Sequence, residues 1–201
     1  MKGLSVALVL MALVANGCAF GTRRVNLTYG PSLSQPDHQP TYGPVAVARL
    51  RDGRVASQGT GQLLGKVRNG YGAPTASVVA NQDPVLWVSE GIVRGLTNEG
   101  FAVRRVDSPA DAEELPTVTG TVTRASGGMY MSMDANISAD ISVERQGSAL
   151  ATVHCDGRAS KVAWTVSAEE YRGLFEAAMT DFVGHCVPQL LPTLKQSSPK
   201  Q

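Results

Sequence analysis

One stretch restricts the fold of this chain more than any other. Met129, Met131, Met133, Ala135, Ile137, Ala139, Ile141 and Val143 take every second position, and Tyr130, Ser132, Asp134, Asn136, Ser138, Asp140, Ser142 and Glu144 take those between. Successive strand side chains point to opposite faces, so this period of two predicts one long strand with an apolar and a polar side. Such a strand belongs to an antiparallel sheet with one face buried and one open. The methionines read as core filler, because a strand spreads them over about 13 Å and keeps them from converging on a soft metal. Residues 145–148 read as a hairpin turn. Beyond it Ala149, Ala151, Val153 and Cys155 share a face, and a break at Asp156-Gly157 precedes an extension over 161–166.

The flanking elements follow from simpler signals. Residues 45–50 alternate as a strand, and the glycine-rich stretch 59–75 suggests a loose hairpin with strands over 62–67 and 75–79. It lacks the glycine spacings of phosphate-binding loops. Asp83-Pro84 opens a helix carrying Val85, Val88, Ile92 and Leu96 at helical spacing, with Gly100 ending it. Gly91 and Gly95 are expected to let this helix approach the sheet. Residues 101–106 form a strand, 110–115 a short helical turn, and 117–124 a strand with threonine at each odd position. Ser167 and Glu170 make a capping box. Tyr171, Leu174, Phe175, Ala178, Phe182 and Cys186 form an apolar helical stripe, and Pro188 is expected to end it. The fold class is therefore α+β: a two-layer sandwich, mostly antiparallel sheet, with two helices packed on one face.

The N-terminus carries a different message. Lys2 precedes eleven apolar or small residues over 4–14, and small residues follow up to Cys18. This is the order of a secretory signal, and the apolar run is too short to span a bilayer, which needs about 20 residues. The run Leu13-Val14-Ala15-Asn16-Gly17-Cys18 resembles the lipobox of bacterial lipoproteins, although Ala15 stands where leucine is usual. That resemblance implies removal of residues 1–17 and acylation of Cys18, which would hold the protein to a membrane through its acyl chains. The remaining chain carries 17 basic and 17 acidic residues once Lys2 is removed. Balanced charge offers no footprint for nucleic acid. Residues 18–44, with four prolines and two copies of Thr-Tyr-Gly-Pro (28–31 and 41–44), read as a largely disordered lipidated tether. A single domain is expected over 45–194 and a disordered tail over 195–201.

Two cysteines remain, Cys155 and Cys186. In an exported chain they can pair. Two buried thiols are the other reading; the bond is favoured because both side chains point into the layer between sheet and helix. Of the histidines, His38 falls in the tether, His154 on the polar side of its strand and His185 near a helix end. None has a carboxylate or cysteine at metal-ligand spacing, so no metal, cofactor or catalytic group is expected. Arg104 and Arg105 read as solvated charges. The element order behind a lipobox resembles the YajG-like lipoproteins of Gram-negative bacteria over residues 65–191, through Gly65-Lys66-Val67, Glu99-Gly100-Phe101-Ala102-Val103, Gly120-x-Val122, Asn136-Ile137-x-Ala139-x-Ile141 and the capped last helix. More broadly it looks like auxiliary lipoproteins of envelope transport systems. These resemblances imply a non-enzymatic, periplasm-facing outer-membrane lipoprotein that binds a partner protein or envelope component. Tyr130, Ser132, Asn136 and the threonines of 117–123 are the expected docking surface. The alternative is an accessory of lipid or glycan transport, which would require an apolar cavity between sheet and helices near the methionines.

Overall fold

The computed structural model describes residues 21–34, 39–55, 59–163 and 167–198. Its nine strands are β1 (Gly21–Val25), β2 (Tyr42–Ala48), β3 (Arg51–Asp52), β4 (Leu63–Arg68), β5 (Pro74–Ala80), β6 (Phe101–Val106), β7 (Thr117–Tyr130), β8 (Ser132–Arg145) and β9 (Ser148–Lys161). Two α-helices, α1 (Pro84–Asn98) and α2 (Ala168–Ser197), cover one face of the sheet they form. β7, β8 and β9 are an antiparallel meander, and it supplies most of the paired residues. Along the other edge of β7 the short strands β2, β3 and β4 follow one another, all parallel to it. β6 lies outside β2, and β5 and then β1 lie outside β4.

The alternating run is real, but it crosses a turn. Met129 lies near the end of β7 and Met133 near the start of β8 as its cross-strand partner, with Met131 at the tip in the left-handed region (φ 67°). A turn centred on one residue pairs odd positions with odd positions, so the alternation continues without a break while the chain reverses. β7 also runs past its expected end at Arg124. A bulge between Val122 and Arg124 flips its inward face from even positions (Val118, Val122) to odd ones (Ala125, Gly127). A period-two reading loses the strand at that point. β9, in turn, is unbroken through Asp156-Gly157.

Helix α1 starts where expected: the Asp83 carboxylate accepts from the Val85 and Leu86 amides. Its Gly91 and Gly95 face α2 rather than the sheet. A Cβ on Gly91 would lie 2.4 Å from the Met179 sulfur, and one on Gly95 would lie 2.5 Å from Val183. Helix α2 keeps the Ser167–Glu170 capping box but does not stop at Pro188; Pro188 and Pro192 both lie inside it. An internal proline costs about 3 kcal/mol. Beyond Pro188 the helix still buries Leu190 and Leu194 completely. Each such side chain contributes about 1.5–3 kcal/mol, and with the partly buried Leu191 they offset the cost of the two prolines, about 6 kcal/mol together.

The expected tether is also corrected. β1 pairs with β5, and Val25, Leu27 and Leu33 are buried in the core. Tyr29 stacks on Trp87 with ring centroids 6.1 Å apart and donates its hydroxyl hydrogen to the Trp87 carbonyl at 2.8 Å. The Arg94 guanidinium lies 4.3 Å from the same ring. The second Thr-Tyr-Gly-Pro repeats this arrangement: Tyr42 stacks on Phe101 at 4.9 Å, with Lys195 4.9 Å from its ring. Each copy thus anchors by an aromatic pair capped with a cation. The expected tail likewise belongs to α2 as far as Ser197.

Candidate functional site

The face of the meander away from the helices is built from β8 positions 134, 136, 138, 140, 142 and 144. Which β9 residues stand beside them depends on a second bulge. The 145–148 turn pairs Arg145 with Ser148 and Glu144 with Ala149, but Val143 pairs with Ala151, leaving Leu150 over. That one extra residue places His154 opposite Asp140, Asp156 opposite Ser138 and Arg158 opposite Asn136. It also turns Cys155 inward, where it is joined to Cys186 of α2 with Cα atoms 5.1 Å apart.

The result is a polar cluster that spacing along the chain does not reveal. His154 Nδ1 lies 2.6 Å from Asp140, and its Nε2 lies 3.3 Å from Asp156. The Ser138 hydroxyl donates to Asp156 at 2.5 Å. The hydrogen bond to Asp140 raises the His154 pKa above its ordinary value, and Asp156 adds to the effect. The Ser138 hydroxyl, and then the charges of His154, Arg158 and Arg124, hold Asp156 below the usual carboxylate range. Ser138, His154 and Asp156 line an open groove of about 520 Å³ with Thr123, Arg124, Arg158, Gly53 and Val55. Both ring nitrogens of His154 face carboxylates, and Ser138 bonds Asp156 rather than the imidazole. This geometry suits a charged binding surface; it does not pair a nucleophile with a base. Among the described residues no three His, Cys, Asp or Glu side chains are grouped to hold a metal ion.

The residues singled out from sequence fall in different places. Tyr130 and Ser132 close the β7–β8 hairpin at its tip. Asn136 lies further in and donates to Asp134 at 2.9 Å. Asp134 is half-buried, and that burial raises its pKa. Thr119 donates to Glu144 and Thr123 to the Ser138 carbonyl along the open face, whereas Thr117 is buried and donates to the Leu115 carbonyl. The tip and the face are therefore separate surfaces. Arg105 is held by two bonds to Glu90, at 2.7 and 2.8 Å, and Arg104 donates to the Asp111 carbonyl. His185 sits 3.3 Å from Asp181 on α2. Cys18 and His38 lie outside the described residues.

No family model matches the chain. No curated protein matches it either. Among solved structures it is similar to protein XCC0632 from Xanthomonas campestris, which bears the family-model name DUF330. The TM-score is 0.56 at 15% identity, over 87% of this chain and 96% of that one. An uncharacterized protein matches with TM-score 0.47 and 9% identity, over 87% and 99% of the two chains. Lipoprotein GNA1162 from Neisseria meningitidis matches with TM-score 0.36 and 11% identity, over 77% and 99%. The first is a likeness of fold alone; the other two are too loose to argue from.

Proposed function

We propose that this chain is an exported lipoprotein of the YajG-like type, acylated at Cys18 and facing the periplasm from the outer membrane. On this reading it has no catalytic role and binds a partner protein through the open face of β7, β8 and β9. The observation that carries the binding role is the His154 cluster, which lies in an open groove on the face that neither helix covers. The Cys155–Cys186 bond fits an oxidising compartment. The transport alternative, with lipid held between the layers, finds no support where it would be needed. A Cβ on Gly127 would lie 2.7 Å from Phe175, and one on Gly157 would lie 2.4 Å from Phe182, so helix and sheet are in direct contact beside the methionine strands.

Intact mass of the protein from its native membrane tests the anchor: a chain starting at Cys18 with acyl groups is expected, and any other start removes the assigned compartment. Photo-crosslinkers placed at Thr152 and Arg158, with Gln189 on α2 as control, test the face. The same envelope protein captured from both face positions and not from the helix supports docking there; equal capture from all three refutes it.

A further inference from the structure

The register of the sheet gathers one end of six strands into a single row. Gly21 pairs with Ala76, Ala76 with Val67, Val67 with Met129, Met129 with Met133 and Met133 with Lys161. At about 4.8 Å between neighbouring strands this row is roughly 24 Å wide. Just beyond it lie the β4–β5 tip, the β7–β8 tip and the residue after β9. Their side chains are not core. Tyr71 is 98% exposed, Met131 81%, Val162 71% and Tyr130 48%. Gly72 lies beside the Tyr130 ring, so the two tips adjoin. Among the described residues seven large apolar side chains are exposed, and these are four of them. The opposite end of the meander, at residues 145–148, is Arg-Gln-Gly-Ser.

Met131 sharpens the contrast. It holds a left-handed backbone that asparagine or glycine adopts more readily, and it points a flexible apolar side chain into solvent. Exposed Lys66, Arg68 and Lys161 stand on the same strand ends; Arg68 donates to the Gly72 carbonyl, and Lys161 faces Glu170 at 3.9 Å. Tyrosines, an adaptable methionine and a few cations are what a membrane interface accommodates. Gly21 itself follows Cys18 by three residues. Three residues span at most about 11 Å, so acyl chains on Cys18 would hold this end of the sheet, and no other, against the bilayer.

We infer that the two hairpin tips and Val162 form a membrane-contacting foot. Tyr71, Tyr130, Met131 and Val162 enter the headgroup region of the phospholipid leaflet that holds Cys18. The strands then stand away from the membrane with the His154 face open sideways. The inference rests on the lipoprotein reading of Cys18, and the test separates the two. Acylated protein carrying a nitroxide at Tyr71→Cys, Met131→Cys or Gln146→Cys is placed in phosphatidylethanolamine–phosphatidylglycerol vesicles, and its accessibility to oxygen and to an aqueous nickel complex is measured. All three positions are in exposed turns, so the core and the disulfide are retained. Labels at 71 and 131 are expected to be shielded from nickel, with an oxygen-to-nickel ratio several-fold above that at 146. Ratios equal to that at 146, on protein whose mass shows the acyl groups, overturn the foot and leave the anchor standing. Concentration-dependent spin–spin broadening at 71 and 131 would mean that a second copy covers the tips, and overturns it too. Protein without acyl mass sinks the anchor and the foot together.

Discussion

His154 is where single residues have most to report. Its raised pKa favours the protonated form on folding. Its contribution to stability is therefore complete below the ordinary value of about 6.5 and fades as pH rises through the folded value. Asp156 has the opposite sign: its lowered value adds stability above the usual carboxylate range, and this is lost as pH falls through it. The two act together between about pH 4 and 6.5, and because both side chains are partly exposed the effect is small. An NMR titration is expected to place the His154 imidazole above its ordinary value, with Asp140→Asn moving it down. An unchanged value in Asp140→Asn would remove Asp140 as the cause. Gly157 gives a larger effect. A Cβ there meets the Ala178 carbonyl and Phe182 at 2.4 Å, so Gly157→Ala is expected to cost about 1–3 kcal/mol in urea unfolding. None of this was legible from spacing, because Asp140 and His154 are fourteen positions apart and meet only through strand register.

Between residue and fold, the elements differ in how openly they announced themselves. The capped starts of both helices were legible, since a cap depends on neighbours a few positions away. The end of α2 was not, because burial of Leu190 and Leu194 outweighs a local breaker. Strand pairing was half legible: alternation marked β8, while the bulges at Thr123 and Leu150 decided its partners' faces. Deleting Leu150 would close this bulge and leave Val143 paired with Ala151 and Cys155 opposite Ala139, still facing α2. Thiol titration of the denatured, unreduced variant is expected to find no free thiol at Cys155 or Cys186; two free thiols would mean that the strand has slipped and turned Cys155 outward. Reducing the native bond, which closes a separation of 31 residues, is expected to lower stability by about 3.5–4 kcal/mol.

At the scale of the molecule, the segment ahead of β2 is a structural component. It adds β1 to the sheet, lays Tyr29 on Trp87 and ties Ser32 and Leu33 to α1 through Asn98 and Arg94. Tyr29→Ala is expected to cost about 2 kcal/mol in thermal or urea unfolding, less than a fully buried aromatic. A variant as stable as the native protein would return the segment to the role of a tether. Built in this way, the N-terminus leaves two residues between Cys18 and the sheet in place of some twenty-five, and on the proposed lipoprotein reading this length sets how far the domain can stand from its anchor.

What the sequence determined alone was whatever depends on near neighbours: the period of two, the helix caps, the apolar stripe of α2 and the α+β class. Tertiary structure decided the rest. Cross-strand partners, the face that β9 turns to α2, the passage of α2 through two prolines and the docking of the Tyr-Gly-Pro segments depend on contacts far apart in the chain. There a single extra residue in a ladder reverses which side chains meet.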